Sequence, residues 1–128
     1  MVSEIAAVIL SGNSVVAVAS ETSPLAAISL AEVLATSDLP GGVVNILTGH
    51  RAELAPVMAS HMDVNAVIDA SGDPKIATAL QAGVAENVKR VANHSCVDAD
   101  GWFDGTAADP YRILDTIEYK TAWHPIGV

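Results

Sequence analysis

The chain has 128 residues, 51% of them hydrophobic and only 4% aromatic, with a formal net charge of −9. That is enough for one domain with an ordinary buried core, and the apolar fraction excludes a disordered polymer. Fifteen acidic residues against six scattered basic ones supply no cationic patch, which excludes nucleic acid as a partner.

Residues 2–10 are apolar on several sides and predict a short buried helix, or the end of a longer one. No basic segment precedes them and they are too few to cross a bilayer, so neither a signal peptide nor a membrane anchor is expected. Cys96 is the sole cysteine, which leaves no internal disulfide and makes a cytoplasmic location the expectation. Residues 14–19 form a β-branched run and predict a strand of the parallel type, buried on both faces. Thr22-Ser23-Pro24 then opens a helix, with a hydroxyl at its N-cap and proline at its first position. Leu25, Ile28, Ala31 or Glu32 and Ala35 follow at helical spacing, and Leu30, Val33 and Leu34 widen the apolar stripe. Pro40-Gly41-Gly42 turns the chain, and residues 43–47 predict a second strand.

A helix is expected over residues 51–62 and a third strand over 64–68. Asp73 caps a further helix that has Pro74 at its first position and runs to about residue 85. Residues 88–92 predict a fourth strand. Strands alternating with helices of this length imply a parallel sheet wound by crossovers. Past Asn93 the periodicity stops. Residues 98–109 form an Asp- and Gly-rich loop, residues 111–114 allow one helical turn, and residues 116–123 alternate as a strand that His124-Pro125 ends.

The standard dinucleotide fingerprint, G-x-G-x-x-G between strand and helix, is absent. Even so, GNSVVAVASE at residues 12–21, the Pro-Leu helix after it and DLPGGVVNILTG at residues 38–49 resemble the nucleotide-binding half of an aldehyde dehydrogenase. In that family the first run reads GN-T-V-V-V-K-P-S-E, and its lysine and glutamate reach the adenosine ribose. The resemblance places ribose contact at Ser20 and Glu21, with Val18 where the lysine would stand. The competing reading of Glu21 is a solvated carboxylate favoured by a helix dipole. The family's pyrophosphate turn, F-T-G-S-x-x-x-G, falls on DASGDPKI at residues 69–76, where Ile76 takes the last glycine's place. Asp69 and Asp73 put two carboxylates where the anion would lie, and at short range they outweigh the half-charge of a helix N-terminus. Pro74 removes a donor as well. The resemblance implies NAD or NADP, but these residues oppose the usual binding pose, and no bound cofactor is the expectation.

NVKRV at residues 87–91 resembles the family's N-L-K-R-V, which leads towards its general-base glutamate, and His94 takes that glutamate's place. Histidine can serve as a base, but with no nucleophile nearby it is expected to be a loop residue with a surface role. Cys96 comes too early for the family's cysteine motif and is expected to be small and partly buried. Asp98, Asp100 and Asp104 have a calcium-loop spacing, yet Trp102 and Phe103 stand where that loop needs an oxygen ligand and glycine. His50, His61, His94 and His124 have no zinc spacing. No catalytic residue and no metal ligand is therefore expected.

LDTIEYKTAW at residues 114–123 resembles the family's terminal oligomerisation segment, typically Y-T-E-V-K-T-V. The other reading is that it covers this domain's own sheet edge, guarded by Glu118 and Lys120. The expected fold is α/β, a Rossmann-like parallel sheet with helices on both faces plus a C-terminal arm strand. Its parts would be a nucleotide-binding-type domain over residues 1–95, a connector over 96–111 and the arm over 112–128. The expected role is a non-catalytic oligomerisation or docking module whose partner is a second copy or a full-length aldehyde dehydrogenase subunit. The alternative is the NAD(P)-binding portion of an oxidoreductase whose catalytic half lies elsewhere, and a third reading is a small enzyme using His94 and Cys96.

Overall fold

A computed structural model describes residues 1–94, 100, 101, 103, 105, 109–125 and 127. Cys96, Asp98, Trp102 and Asp104, and with them the calcium-loop and thiol readings, lie outside the described residues. Helices and strands alternate in the expected order: α1 Val2–Leu10, β1 Val15–Val18, α2 Leu25–Ala35, β2 Val44–Leu47, α3 Arg51–Ser60, β3 Ala66–Asp69, α4 Pro74–Ala85 and β4 Arg90–Asn93. A 3₁₀ helix, Pro110–Thr116, follows. The α/β class is the one the sequence pattern implies, and both strand pairs are parallel.

Local chemistry explains most boundaries. The Asp73 side chain accepts the Lys75 N–H at 2.8 Å, and Pro74 occupies the first turn of α4 where its missing donor is not needed. The hydroxyl cap expected at α2 is not made. Ser20 Oγ and Thr22 Oγ1 lie 3.1 Å apart and bond one another, while the Pro24 carbonyl receives the Ala27 and Ile28 N–H groups. Val88 sits at φ 54°, the left-handed region that a β-branched residue rarely enters. With the Lys89 N–H turned back to the Val84 carbonyl, that kink ends the helical segment. Pairing therefore starts at Arg90, two residues later than the alternation implies.

The single sheet expected from the sequence is replaced by two ladders. Strand β1 pairs with β2 from Val15↔Val44 to Val18↔Leu47, and β3 pairs with β4 from Ala66↔Arg90 to Asp69↔Asn93. No hydrogen-bonded ladder joins the two pairs among the described residues. Strands of four residues present few backbone groups per edge, and β1 is not covered on both faces. Val16 is 45% exposed and Leu47 on the paired strand 41% exposed.

Burial is concentrated in the second half of the domain. Ala55 and Ala59 of α3, Val67 of β3 and Leu80 and Val84 of α4 form the buried cluster, with Val64, Ile76 and Val91 against it. Helices α3 and α4 approach closely because Gly83 has no side chain. A Cβ built there would stand 2.6 Å from the Ala59 Cβ. In the first half, Ile5, Val8, Ala19 and Ala27 are buried, but Leu25 and Val33 of α2 face outward. The chain exposes 8972 Å², whereas a compact monomer of its 13.1 kDa mass exposes about 6,400 Å².

The expected arm strand over residues 116–123 does not form in this chain. Thr116 closes the 3₁₀ helix, Ile117 is extended at φ −107° and ψ 154°, and residues 117–125 join no ladder. An extended segment becomes a strand only when a neighbouring edge takes up its N–H and C=O groups, and neither ladder does so. The reading in which this segment covers the domain's own sheet edge is thereby overturned.

Candidate functional site

Parallel pairing brings the loops that follow the strands to the carboxyl ends of the two ladders, where α/β proteins place their ligand sites. After β1 the chain carries Ser20 and Glu21. Glu21 reaches across to the start of α3, where its Oε1 accepts the Arg51 backbone N–H at 2.6 Å and lies 3.4 Å from Arg51 Nε. Its Oε2 stands 3.6 Å from His50 Nδ1. These bonds, the Arg51 backbone N–H first, hold the Glu21 carboxyl below its ordinary range. Glu21 thus caps α3 rather than the helix next to it in sequence. Arg51 stands beside it as a cation, and Val18, at the family's lysine position, is a half-buried strand residue.

After β3 the turn folds on itself. Asp69 is buried, and its Oδ1 accepts the Ser71 N–H at 2.8 Å. Ser71 Oγ accepts the Asp73 N–H at 3.1 Å. Asp73 in turn takes the Lys75 N–H, so carboxylates already occupy amide donors that an anion would need. Asp69, Gly72, Asp73, Pro74, Ala77, Asn93 and His94 line an open, shallow cleft of about 270 Å³, smaller than the ~300–1,000 Å³ of ordinary small-molecule pockets.

His94, just past β4, is not the surface residue the sequence implies. Its side chain is 12% exposed, and both ring nitrogens are engaged. Nδ1 lies 2.8 Å from Glu4 Oε2, and Nε2 lies 2.9 Å from Asp115 Oδ2. The other Glu4 oxygen pairs with Arg112 Nη1. Ionised carboxylates only accept, so a ring that satisfies both must donate from both nitrogens. The cluster ties α1, the end of β4 and the 3₁₀ helix together. Glu4 was the available signal for it, a single charge inside the otherwise apolar VSEIAAVIL. Its partners stand 90 and 108 residues away, out of reach of any local pattern.

Among the described residues, no group of three or more His, Cys, Asp and Glu side chains is placed to hold a metal ion, and no helix is long and apolar enough to cross a membrane.

A profile of the aldehyde dehydrogenase family matches residues 1–95. The chain is 31% identical over 83 residues to an aldehyde dehydrogenase of Emericella nidulans, and 35% identical over 83 residues to a betaine aldehyde dehydrogenase of Rhizobium leguminosarum. Each match covers 65% of this chain and 17% of the relative. An NADP/NAD-dependent aldehyde dehydrogenase of Escherichia coli, PuuC, is 36% identical over 80 residues, 62% of this chain and 16% of that protein. The chain therefore spans about a sixth of the length of these curated relatives. No solved structure matches it.

Proposed function

We propose that this chain, which belongs to the aldehyde dehydrogenase family, acts as a non-catalytic docking or oligomerisation module. Its partner would be a second copy or a full-length aldehyde dehydrogenase subunit. The observation that carries this reading is the segment after Thr116. It leaves the 3₁₀ helix extended at Ile117 and joins no ladder through residue 125, with Tyr119 80% exposed and Trp123 91% exposed. In a strand conformation Ile117, Tyr119, Thr121 and Trp123 would share one side. Adding such a segment to a partner's sheet satisfies its backbone groups and covers its aromatic rings, with alternate side chains reading the partner. Light scattering of the purified chain, alone and mixed with a full-length aldehyde dehydrogenase, is the test. A strict monomer that leaves the dehydrogenase untouched removes the reading.

A second reading rests on Glu21 and Ser20. A carboxylate at the end of β1 with Arg51 beside it is a fit partner for ribose hydroxyls, which would make the chain an NAD- or NADP-binding part of an oxidoreductase. Ribose would have to displace the Arg51 N–H and the ring of His50 from Glu21. The acidic turn at Asp69 and Asp73 opposes the pyrophosphate. Calorimetric titration decides it, and no heat with millimolar NAD or NADP dismisses it.

A further inference from the structure

We infer that the Glu4–His94–Asp115–Arg112 cluster is a proton-operated latch that governs how the C-terminal segment leaves the domain, an inference that builds on the docking reading by naming its regulation. The segment is held at its base by two sets of contacts. Asn13 Nδ2 donates to the Thr116 carbonyl at 3.2 Å, and the 3₁₀ helix is bound through Arg112 to Glu4 and through Asp115 to His94. His94 is the pivot, because among the described residues it is the one that touches both carboxylates.

The two carboxylates are not equivalent. Glu4 keeps Arg112 as a second partner, and its side chain is 16% exposed. Among the described side chains, Asp115 pairs with His94 alone, and it is 38% exposed. A doubly protonated ring serves both. A neutral imidazole carries one N–H and one lone pair, and a lone pair facing a carboxylate repels it. The remaining proton belongs at Nδ1, against the more buried Glu4, so Asp115 is the group released and water takes up its charge. The 3₁₀ helix then loses its bond to β4 and keeps the one to α1. Among the described residues, two further charged groups share the cleft that His94 lines: Asp69 of β3, whose backbone carbonyl accepts the His94 backbone N–H at 2.8 Å, and Asp73 at the start of α4.

The sign follows directly. The latch is shut when the ring is charged and opens as rising pH removes one proton. Hydrogen–deuterium exchange on the intact chain, corrected for the intrinsic chemical rate, reads it at residues 110–116. Losing one charge-assisted bond corresponds to exchange roughly tenfold faster at about pH 8 than at about pH 5.5. His94→Gln removes this step. Asp115→Asn removes it in the opposite way, because its amide donates to the Nε2 lone pair and protects the helix at both pH values. Circular dichroism confirms that each variant is folded, and the Asp115 variant, altered at a part-exposed site, stands if the other is not. Equal wild-type protection at the two pH values, or an undiminished step in either variant, overturns the latch. Light scattering on the same samples separates the two ideas. A monomer throughout with the step intact removes docking and keeps the latch, whereas an oligomer with no step removes the latch and keeps docking.

Discussion

Gly83→Ala sets two magnitudes against each other. Alanine in place of glycine inside α4 would by propensity stabilise the helix by about 1 kcal/mol. The new Cβ, however, would stand 2.6 Å from the Ala59 Cβ, with the Ala59 backbone at 3.6 and 3.7 Å. Carbon atoms rest about 3.5–4.0 Å apart, and a methyl attached to helix backbone has no rotamer by which to escape. The two helices must separate by roughly 1 Å, which loosens Ala55, Leu80 and Val84 together and costs about 2–3 kcal/mol as overpacking. Packing wins, with a net loss of about 1–2 kcal/mol and a melting point lower by roughly 4–8 °C. Thermal unfolding followed at 222 nm measures it, with Ala59→Gly in the same chain as the control. The double variant should show a coupling of at least about 1 kcal/mol, because the two methyl groups no longer compete for one space. A Gly83→Ala protein that melts at or above the wild-type temperature would refute the close-approach argument.

The other expectations rest on single contacts. Pro56 lies inside α3 and withholds the N–H that the Ala52 carbonyl would accept, so Pro56→Ala should raise stability by about 1–3 kcal/mol in a urea titration. Glu21 has a folded-state pKa below its unfolded one, so its contribution is complete above the ordinary carboxylate range and fades as pH falls through the lower folded value. The stability gap between wild type and Glu21→Gln should therefore be constant near neutrality and close in acid, and a gap that widens in acid contradicts the capping role. Replacing Tyr119 and Trp123 by alanine should change stability by less than about 0.5 kcal/mol while weakening self-association or capture of a dehydrogenase subunit in light scattering. A large loss of stability would place those rings against this chain instead of a partner.

Local grammar made most of the elements legible. Asp73-Pro74 marks a helix start by chemistry that acts within three residues, and the structure makes that bond. The β-branched run at residues 14–19 and the alternation of elements give the α/β class for the same reason. What escaped is everything set by distant partners. The fourth strand moved because Val88 takes a left-handed backbone, which alternation does not encode. The charge cluster escaped because Glu4, His94, Arg112 and Asp115 gather from both ends of the chain. The tail read as a strand because its pattern is that of one, but a pattern supplies only half of a ladder. Ser20 and Glu21, the residues named from the family resemblance, follow the carboxyl end of β1. Their hydrogen bonds are already spent within the protein.

Burial is uneven between the two halves of the domain. Around α3, β3 and α4 the chain builds its own core. Around β1 and β2 burial is sparser: α2 has one charged residue, Glu32, in LAAISLAEVLA, yet only Ala27 of that helix is buried. A helix with apolar residues on more than one side gains stability when each of those sides is covered, and among the elements of this chain β2 covers chiefly one. Leu25 at 79% and Val33 at 63% exposure mark the side left open. The same half of the domain holds Asn13, which anchors the base of the unpaired tail through Thr116. An uncovered helix and an unpaired strand are deficits of different kinds, one of apolar contact and one of backbone hydrogen bonds. The docking partner proposed above would have to present both a sheet edge and an apolar face to remove both.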